Sequence, residues 1–173
     1  NSYTWIDGNT YTSMKKKMKF IKQKKLHGVE LINQNPIGKS SRSNPITYTK
    51  GYDDIRQLFS KQKHAQLNGF KPGYFSFNIE GGRCEKCQGE GQITISMQFM
   101  ADVHLKCDEC NGTRFKDDVL EVKFKGKNIA QILEMTVLES LDFFNEDSSI
   151  CKKIKTKIQA LFEVGLEYVQ LGQ

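Results

Sequence analysis

The feature that most constrains this chain is a set of four cysteines arranged as two Cys-x-x-Cys pairs. Cys84 pairs with Cys87 and Cys107 with Cys110, and nineteen residues separate the pairs. Two intervening residues let one tight turn direct both sulfurs of a pair at the same ion, and thiolate sulfur is a preferred ligand of Zn²⁺. The spacing therefore predicts one tetrahedral zinc site. Because four thiolates leave no open position on the ion, we expect the zinc to hold structure and to catalyse nothing.

The residues between the pairs read as an antiparallel ribbon. Apolar and polar side chains alternate along 92–99, and the alternation resumes at Val103 and Leu105 after a turn near 100–102. Alternation with a period of two is typical of a strand. The ribbon would carry the chain from one cysteine pair to the other.

Two alternatives to a metal site remain open for these cysteines, namely disulfides and unliganded buried thiols. No signal peptide indicates an oxidising compartment, which disfavours the disulfides. The fifth cysteine, Cys151, lies on the apolar side of a predicted helix, where we expect a buried thiol that behaves as a small hydrophobic side chain.

Charge and length give weaker constraints. The 173 residues include 26 Lys and Arg against 20 Asp and Glu, a formal net charge of +6. This excess is compatible with a polyanionic partner without requiring one, and the lysine-rich stretch 14–25 is either a solvated linker or a nucleic-acid contact. No apolar run approaches the length of a membrane span, so we expect a soluble, cytoplasmic protein. The chain starts at Asn1 without a methionine and ends in an apolar stretch, which indicates a fragment of a larger protein.

Helices dominate the rest of the predicted structure. After a strand at 29–32 and a Gly-, Pro- and Ser-rich loop at 35–51, a helix is expected from about residue 53, followed by a polar connection over 61–73. Beyond the cysteines we predict a strand at 119–124, a helix at 128–135, a helix opened by a Thr136-x-x-Glu139 capping box, and a helix at 148–164. The fold class is α+β.

A Gly38-Lys39-Ser40 sequence invites comparison with a phosphate-binding loop, but the pattern fails upstream. The motif needs a glycine at position 33, which is Asn, and Pro36 removes a backbone amide. What this loop offers instead is Lys39 and Arg42 among hydroxyl and amide side chains. Such groups make backbone phosphate contacts in DNA-binding proteins, although an ordinary solvated loop has the same composition.

Several motifs in order resemble one family. The segments 34–45 (QNPIGKSSRSNP), 47–49 (TYT), 75–78 (FSFN) and 81–84 (GGRC), together with the paired cysteines, closely resemble the second half of the UvrA family, the DNA-damage-recognition ATPase component of the bacterial UvrABC excinuclease. The resemblance covers about 29–173, and residues 1–28 match nothing in it.

The resemblance implies a helical insertion domain of an ABC-type ATPase, signature domain II, carrying a four-cysteine, zinc-ribbon-like β-hairpin. It divides the chain into a lead-in (1–28), a Q-loop-like strand with basic loop and helix (29–82), the zinc module (83–116), and a strand with helices returning toward the ATPase core (117–173). The family's Walker A lies upstream of such a segment and its signature motif just downstream, and we find no Walker B. ATP is therefore expected to bind and be hydrolysed only by the full-length protein. Gln34 resembles the Q-loop glutamine that couples nucleotide state to the inserted domain.

The resemblance also implies partners. In the family the zinc module and the basic loop face DNA, so Lys39 and Arg42 become phosphate contacts, and recognition in nucleotide excision repair rests on backbone contacts and duplex deformability. The full-length protein is expected to bind double-stranded DNA, the B component of the excinuclease and a second copy of itself, but no membrane. The complete set of DNA-contact candidates is Lys39, Arg42, Ser43, Arg56, Lys71, Arg83 and Lys86.

Two other functions stay open at this point. The sequence Cys-x-x-Cys-x-Gly-x-Gly at 84–91 also resembles the zinc repeats of DnaJ-type chaperones, which bind unfolded protein. Such a domain would carry four repeats, and the second pair here lacks the final glycine. A purely structural zinc module that orients ATPase domains without touching DNA is the third possibility.

Overall fold

The computed structural model describes residues 42–173. The predictions made for the strand at 29–32, for Gln34 and for Lys39 concern residues outside this part. No helix within the described part has the length and apolar character needed to cross a membrane.

Seven helices and one hairpin make up the described part. The helices are α1 (Pro45–Tyr48), α2 (Gly51–Ser60), α3 (Lys63–Leu67), α4 (Asp117–Leu120), α5 (Ile129–Glu134), α6 (Val137–Phe143) and α7 (Ser149–Glu163), with a 3-10 turn at Pro72–Phe75. Strands β1 (Gln92–Ile95) and β2 (Val103–Lys106) form an antiparallel two-stranded sheet. The predicted α+β class is confirmed.

The main hydrophobic core forms where α2 packs against α7 and the 3-10 turn. Helix α2 directs Ile55 and Phe59 inward, and both side chains are fully buried because residues four apart lie on one face of a helix. Phe59 meets Phe75 of the 3-10 turn with ring centroids 5.6 Å apart. From α7, a stripe at helical spacing completes this core: Cys151, Ile154, Ile158 and Leu161.

The last described residues run beside the end of α5 and the start of α6. Leu171 donates its amide to the Met135 carbonyl at 2.9 Å, and Gly172 donates to the Leu133 carbonyl at 2.8 Å. The Leu171 carbonyl in turn accepts a hydrogen bond from the Ile46 amide in α1 at 3.2 Å. Leu171, whose side chain is fully buried, therefore joins the first and the later helices of the described part.

Hydrogen-bonded caps mark where three of the helices begin. The predicted box at α6 is confirmed: Thr136 Oγ1 accepts the Glu139 amide at 3.2 Å, and Glu139 Oε2 accepts the Thr136 amide at 2.9 Å. The same reciprocal pattern opens α1 through Asn44 and α5 through Asn128. Each box satisfies two backbone donors that the first helical turn leaves without partners.

Three local predictions were wrong. The segment 119–124 is not a strand: α4 ends at Leu120, and the inward positions Val119 and Val122 are three residues apart, a helical spacing. Asp117 in the first turn of α4 also favours a helix, because its charge complements the helix dipole. The loop at 35–51 contains α1, which its asparagine cap and Pro45 start, and the connection at 61–73 contains α3.

We expect Thr136→Ala to lower the free energy of unfolding by about 1 kcal/mol, because the substitution removes the hydroxyl that caps α6. Urea denaturation measures this change. The control is Thr156→Ala on the exposed face of α7, where the hydroxyl only donates back to the Lys152 carbonyl. That change should stay within about 0.5 kcal/mol of zero. Equal losses in the two variants would contradict the cap's role.

Candidate metal centre

The backbone brings the two cysteine pairs together at the base of the hairpin. Strands β1 and β2 pair with Ile93 opposite Leu105, and the Cys107 amide donates to the Gly91 carbonyl at 3.0 Å. On the other side of the module the Cys84 amide donates to the Arg114 carbonyl at 2.9 Å. Two sets of backbone hydrogen bonds therefore hold the cysteine pairs at a fixed distance from each other.

Each Cys-x-x-Cys turn is followed by two residues in the left-handed region. Gln88 and Gly89 have φ of 52° and 84° after the first pair, and Asn111 and Gly112 have 48° and 79° after the second. Asparagine and glycine adopt this conformation at low cost, which explains the glycine found two residues after each pair. The two turns, which are only half-similar in sequence, thus share one backbone conformation.

Two glycines let the module lie directly against the backbone of the main core. A Cβ at Gly82 would stand 1.9 Å from the Tyr74 carbonyl oxygen, and one at Gly89 would stand 1.9 Å from the Phe77 carbonyl oxygen. No side chain can be accommodated at such a distance. These two positions require glycine for close approach.

The four sulfurs converge on one point. All lie within 4.8 Å of one another, with Cys84 Sγ 3.9 Å from Cys107 Sγ and Cys87 Sγ 3.6 Å from Cys110 Sγ. An ion bound tetrahedrally at a Zn–S length of about 2.3 Å needs sulfurs about 3.8 Å apart. The donor set and its spacing therefore fit a single zinc-sized ion. All four cysteines are free and buried, so the disulfide alternative is wrong for this arrangement.

The protonation of the thiols would change when a cation binds. Burial raises the pKa of Cys84 to about 12 and raises the pKa of Cys110. Burial also opposes ionisation of Cys107, but backbone N–H groups of Cys110 and Glu109 outweigh it and lower the pKa. Without a cation, Cys107 is therefore the most readily ionised of these three thiols, and the thiol forms of Cys84 and Cys110 are favoured. Binding of a divalent ion would convert these thiols to thiolates and release protons.

Neighbouring groups support the cluster. The Gly91 amide donates to Cys87 Sγ at 3.2 Å, a hydrogen bond that strengthens when the sulfur is ionised. Outside the cluster, Lys86 Nζ lies 2.7 Å from the Asp108 carboxylate and so ties the first cysteine turn to the second. Four thiolates would fill the coordination sphere of a tetrahedral ion, which leaves no place for a substrate there.

Arg42 is a DNA-contact candidate from outside the module that the structure brings into contact with it. Its Nε donates to Glu90 Oε1 at 2.9 Å and its terminal nitrogen donates to the Gln88 carbonyl at 3.1 Å. The side chains of Arg42 and Glu90 are each 28% exposed, so the pair contributes little stability and mainly fixes where the guanidinium lies. Arg42 of the basic loop and the first cysteine turn are therefore in direct contact.

The other candidates are distributed over the surface. Ser43 and Lys71 are exposed, and Lys86 is exposed but paired with Asp108. Arg83, with 14% of its side chain exposed, donates to the Asn78 carbonyl and contacts Glu80.

Arg56 lines a cleft of about 290 Å³ that also contains Asn78. Its guanidinium pairs with Asp53 and lies over the Tyr52 ring, 5.6 Å from the centroid. Arg83 thus bonds to a residue of the cleft that Arg56 lines, and the interactions of Arg56 are with Asp53 and Tyr52 rather than with the cysteine cluster.

Cys151 lies apart from the cluster, as predicted. It is fully buried on α7, and burial raises the pKa of its thiol. Its sulfur lies 3.8 Å from a Glu146 carboxylate oxygen.

Two residues of the site escaped the sequence analysis. Glu90 holds Arg42 across 48 positions of sequence, and Arg114 reaches Gly172 across 58. Neither pair has a short-range pattern that could have indicated it. Only the left-handed φ of Arg114, 76°, marks that residue as unusual, and a φ angle is visible only in the structure.

Curated proteins and a solved structure that resemble this chain all belong to one family, although no family model matches the chain. UvrABC system protein A of Clostridium perfringens is 54% identical over 142 residues, which are 82% of this chain and 15% of that protein. The same protein of Clostridium tetani is 47% identical over 181 residues, covering 98% of this chain and 19% of that protein. The chain thus spans less than a fifth of the length of these curated relatives.

A solved structure shows the same fold. UvrA2 from Deinococcus radiodurans aligns with 82% of this chain and 17% of its own, at a TM-score of 0.73 and 45% identity. Both the sequence and the fold are therefore shared along most of the chain. The chain belongs to the UvrA family.

Proposed function

We propose that this chain is the zinc-holding, DNA-facing insertion domain of the A component of an excinuclease, which contributes to recognition of damaged DNA in nucleotide excision repair. The observation that carries the proposal is the contact of Arg42 with Glu90 and Gln88, since it joins the basic loop to the metal centre. The full-length cytoplasmic protein would bind ATP, a second copy of itself and the B component of the excinuclease.

The metal would act through geometry. Gln88 and Glu90 follow Cys87 closely, so the turn that presents them to Arg42 is the turn that the metal closes. With the ion bound, the guanidinium is held in one place, where its positive charge would attract a phosphate oxygen. Without the ion, the turn loses the metal–sulfur bonds that help to fix its shape. One structural zinc ion would thereby support DNA binding without contacting DNA.

DNA contact would be made through the sugar-phosphate backbone. The candidates are cations and a hydroxyl, groups suited to phosphate oxygens rather than to a base sequence: Lys39, Arg42, Ser43, Arg56, Lys71, Arg83 and Lys86. Such contacts suit a protein that must recognise chemically diverse lesions by how readily the duplex bends. Gln34 would relay the nucleotide state of the full-length ATPase to this domain, which would itself catalyse no reaction.

We expect zinc removal to weaken duplex binding by about tenfold, the equivalent of one charge-assisted hydrogen bond lost with the position of Arg42. Fluorescence anisotropy with a duplex before and after chelation, with zinc measured on the same sample, tests this. Arg42→Ala should bind more weakly and respond little to chelation, since the contact that the metal supports is already gone.

The matched control for that comparison is Lys153→Ala, which removes one exposed charge from α7. Its response to chelation should equal that of the unsubstituted chain. If Arg42→Ala and Lys153→Ala respond alike, the metal does not act through Arg42. A chain that binds duplex DNA equally well with and without zinc would favour a purely structural module.

The salt dependence of binding gives a second test of the basic loop. Replacing Lys39 and Arg42 together by alanine should reduce the slope of log K against log salt by about 1.8, because each neutralised phosphate contributes about 0.9. The control replaces Lys61 and Lys153, two exposed lysines, and removes the same charge. An unchanged slope in the Lys39 and Arg42 variant would show that this loop does not touch DNA.

A further inference from the structure

A cleft of about 140 Å³ separates the cysteine module from the last described residues. The module contributes Gly112 and Thr113 to its lining, and the opposite wall is formed by Ala130, Leu133 and Gln170. A side-chain contact across the cleft would link its two walls. Arg114, which also lines the cleft, makes such a contact.

Arg114 has a strained backbone conformation, and its side chain is held by two contacts. Its φ of 76° lies in the left-handed region, which costs a residue other than glycine about 1 kcal/mol or more. The guanidinium lies over the Phe77 ring, 5.3 Å from the centroid, and donates to the Gly172 carbonyl at 3.4 Å. The left-handed backbone thus directs a long cation to one carbonyl.

At its backbone, Arg114 belongs to the metal module. Its carbonyl accepts the Cys84 amide at 2.9 Å, and the next residue, Phe115, pairs with Arg83 in an antiparallel bridge. Arg114 follows Cys110 by only four residues. Its backbone position is therefore set by how the cysteine pairs are closed.

At its other end, Arg114 meets a segment with little freedom. Gly172 donates to the Leu133 carbonyl at 2.8 Å, and a Cβ at this glycine would lie 2.8 Å from Leu133 Cβ. Leu171, one residue earlier, is bonded to Met135 and to Ile46. Ile46 lies in α1, so the segment that Arg114 touches is also bonded to the helix that follows the basic loop.

From these contacts we infer that Arg114 is a positioning residue, which fixes the segment 171–172 relative to the metal module. Binding of one ion by the four cysteines would then determine where this segment lies. The inference deepens the proposed function and rests on it for the identity of the ion. Arg114 would be a second connection from the metal module to the rest of the domain, separate from the contact with Arg42.

Amide hydrogen exchange on the 173-residue chain tests this inference. In Arg114→Met a long apolar side chain can keep the contact with Phe77 but loses the donor to Gly172. The amides of Leu171 and Gly172 should then exchange about fivefold faster, the effect of one lost hydrogen bond. Arg114→Lys, which keeps a cationic donor, should give an intermediate rate, and the Ile158 amide in α7 should be unchanged and report an intact core.

The control is Lys153→Met, which removes an exposed cation from α7, outside the module. It should leave Leu171 and Gly172 at their original exchange rates. Equal rates in Arg114→Met and the unsubstituted chain would overturn the inference. So would an equal acceleration in Lys153→Met, because the loss of any exposed cation would then suffice.

Chelation of zinc completes the test. It should accelerate the Leu171 and Gly172 amides in the unsubstituted chain and add nothing in Arg114→Met. Equal acceleration in both would show that the metal reaches this segment by another route and would overturn the inference. The comparison of the variants without chelator tests the role of Arg114 even if the purified chain holds no zinc. A chain without zinc would overturn the proposed zinc site but not the role of Arg114.

Discussion

Convergence of four sulfurs on one point is the constraint on which the cysteine module depends. The hairpin has strands of four residues, and a two-stranded hairpin of this size is marginal in water. Within the described residues, Ile93 alone packs against the four buried cysteines as a partly buried apolar side chain. The module therefore has almost no hydrophobic core of its own, and a bound ion would supply the interactions that such a core supplies elsewhere.

The hairpin itself shows how little the module relies on apolar burial. Ile95, Met97 and Leu105 alternate as in any half-buried strand, yet each side chain is between 43% and 50% exposed. At the tip Phe99 is 95% exposed. The alternation thus predicted two strands, but β1 ends at Ile95 rather than at Phe99. Neither strand has a buried face, because no second layer covers the ribbon in the described part of the chain.

Sequence reasoning succeeded where the physics is local. Cysteine spacing indicated the cluster, the Thr136 and Glu139 pair indicated a helix start, and helical spacing indicated α2 and α7, since each depends on residues close together in the chain. It failed at 119–124, where a strand would have buried Leu120, Val122 and Phe124 together. A helix ends at Leu120 instead, and the fully buried side chains are Val119 and Val122. The contact of Arg42 with Glu90 could not be predicted at all, because it depends on how two distant turns meet.

The close approach at Gly82 and Gly89 has a mechanical consequence. Where carbonyl oxygens of the main core stand this near to the module's backbone, no side-chain rearrangement is available to absorb a tilt between the two. A tilt of the ribbon relative to the main core would then require the strands beyond Gly91 to bend or the backbone at Tyr74 and Phe77 to move. The ribbon would therefore pivot about Gly82 and Gly89, the two positions where the absence of a Cβ lets the backbones touch.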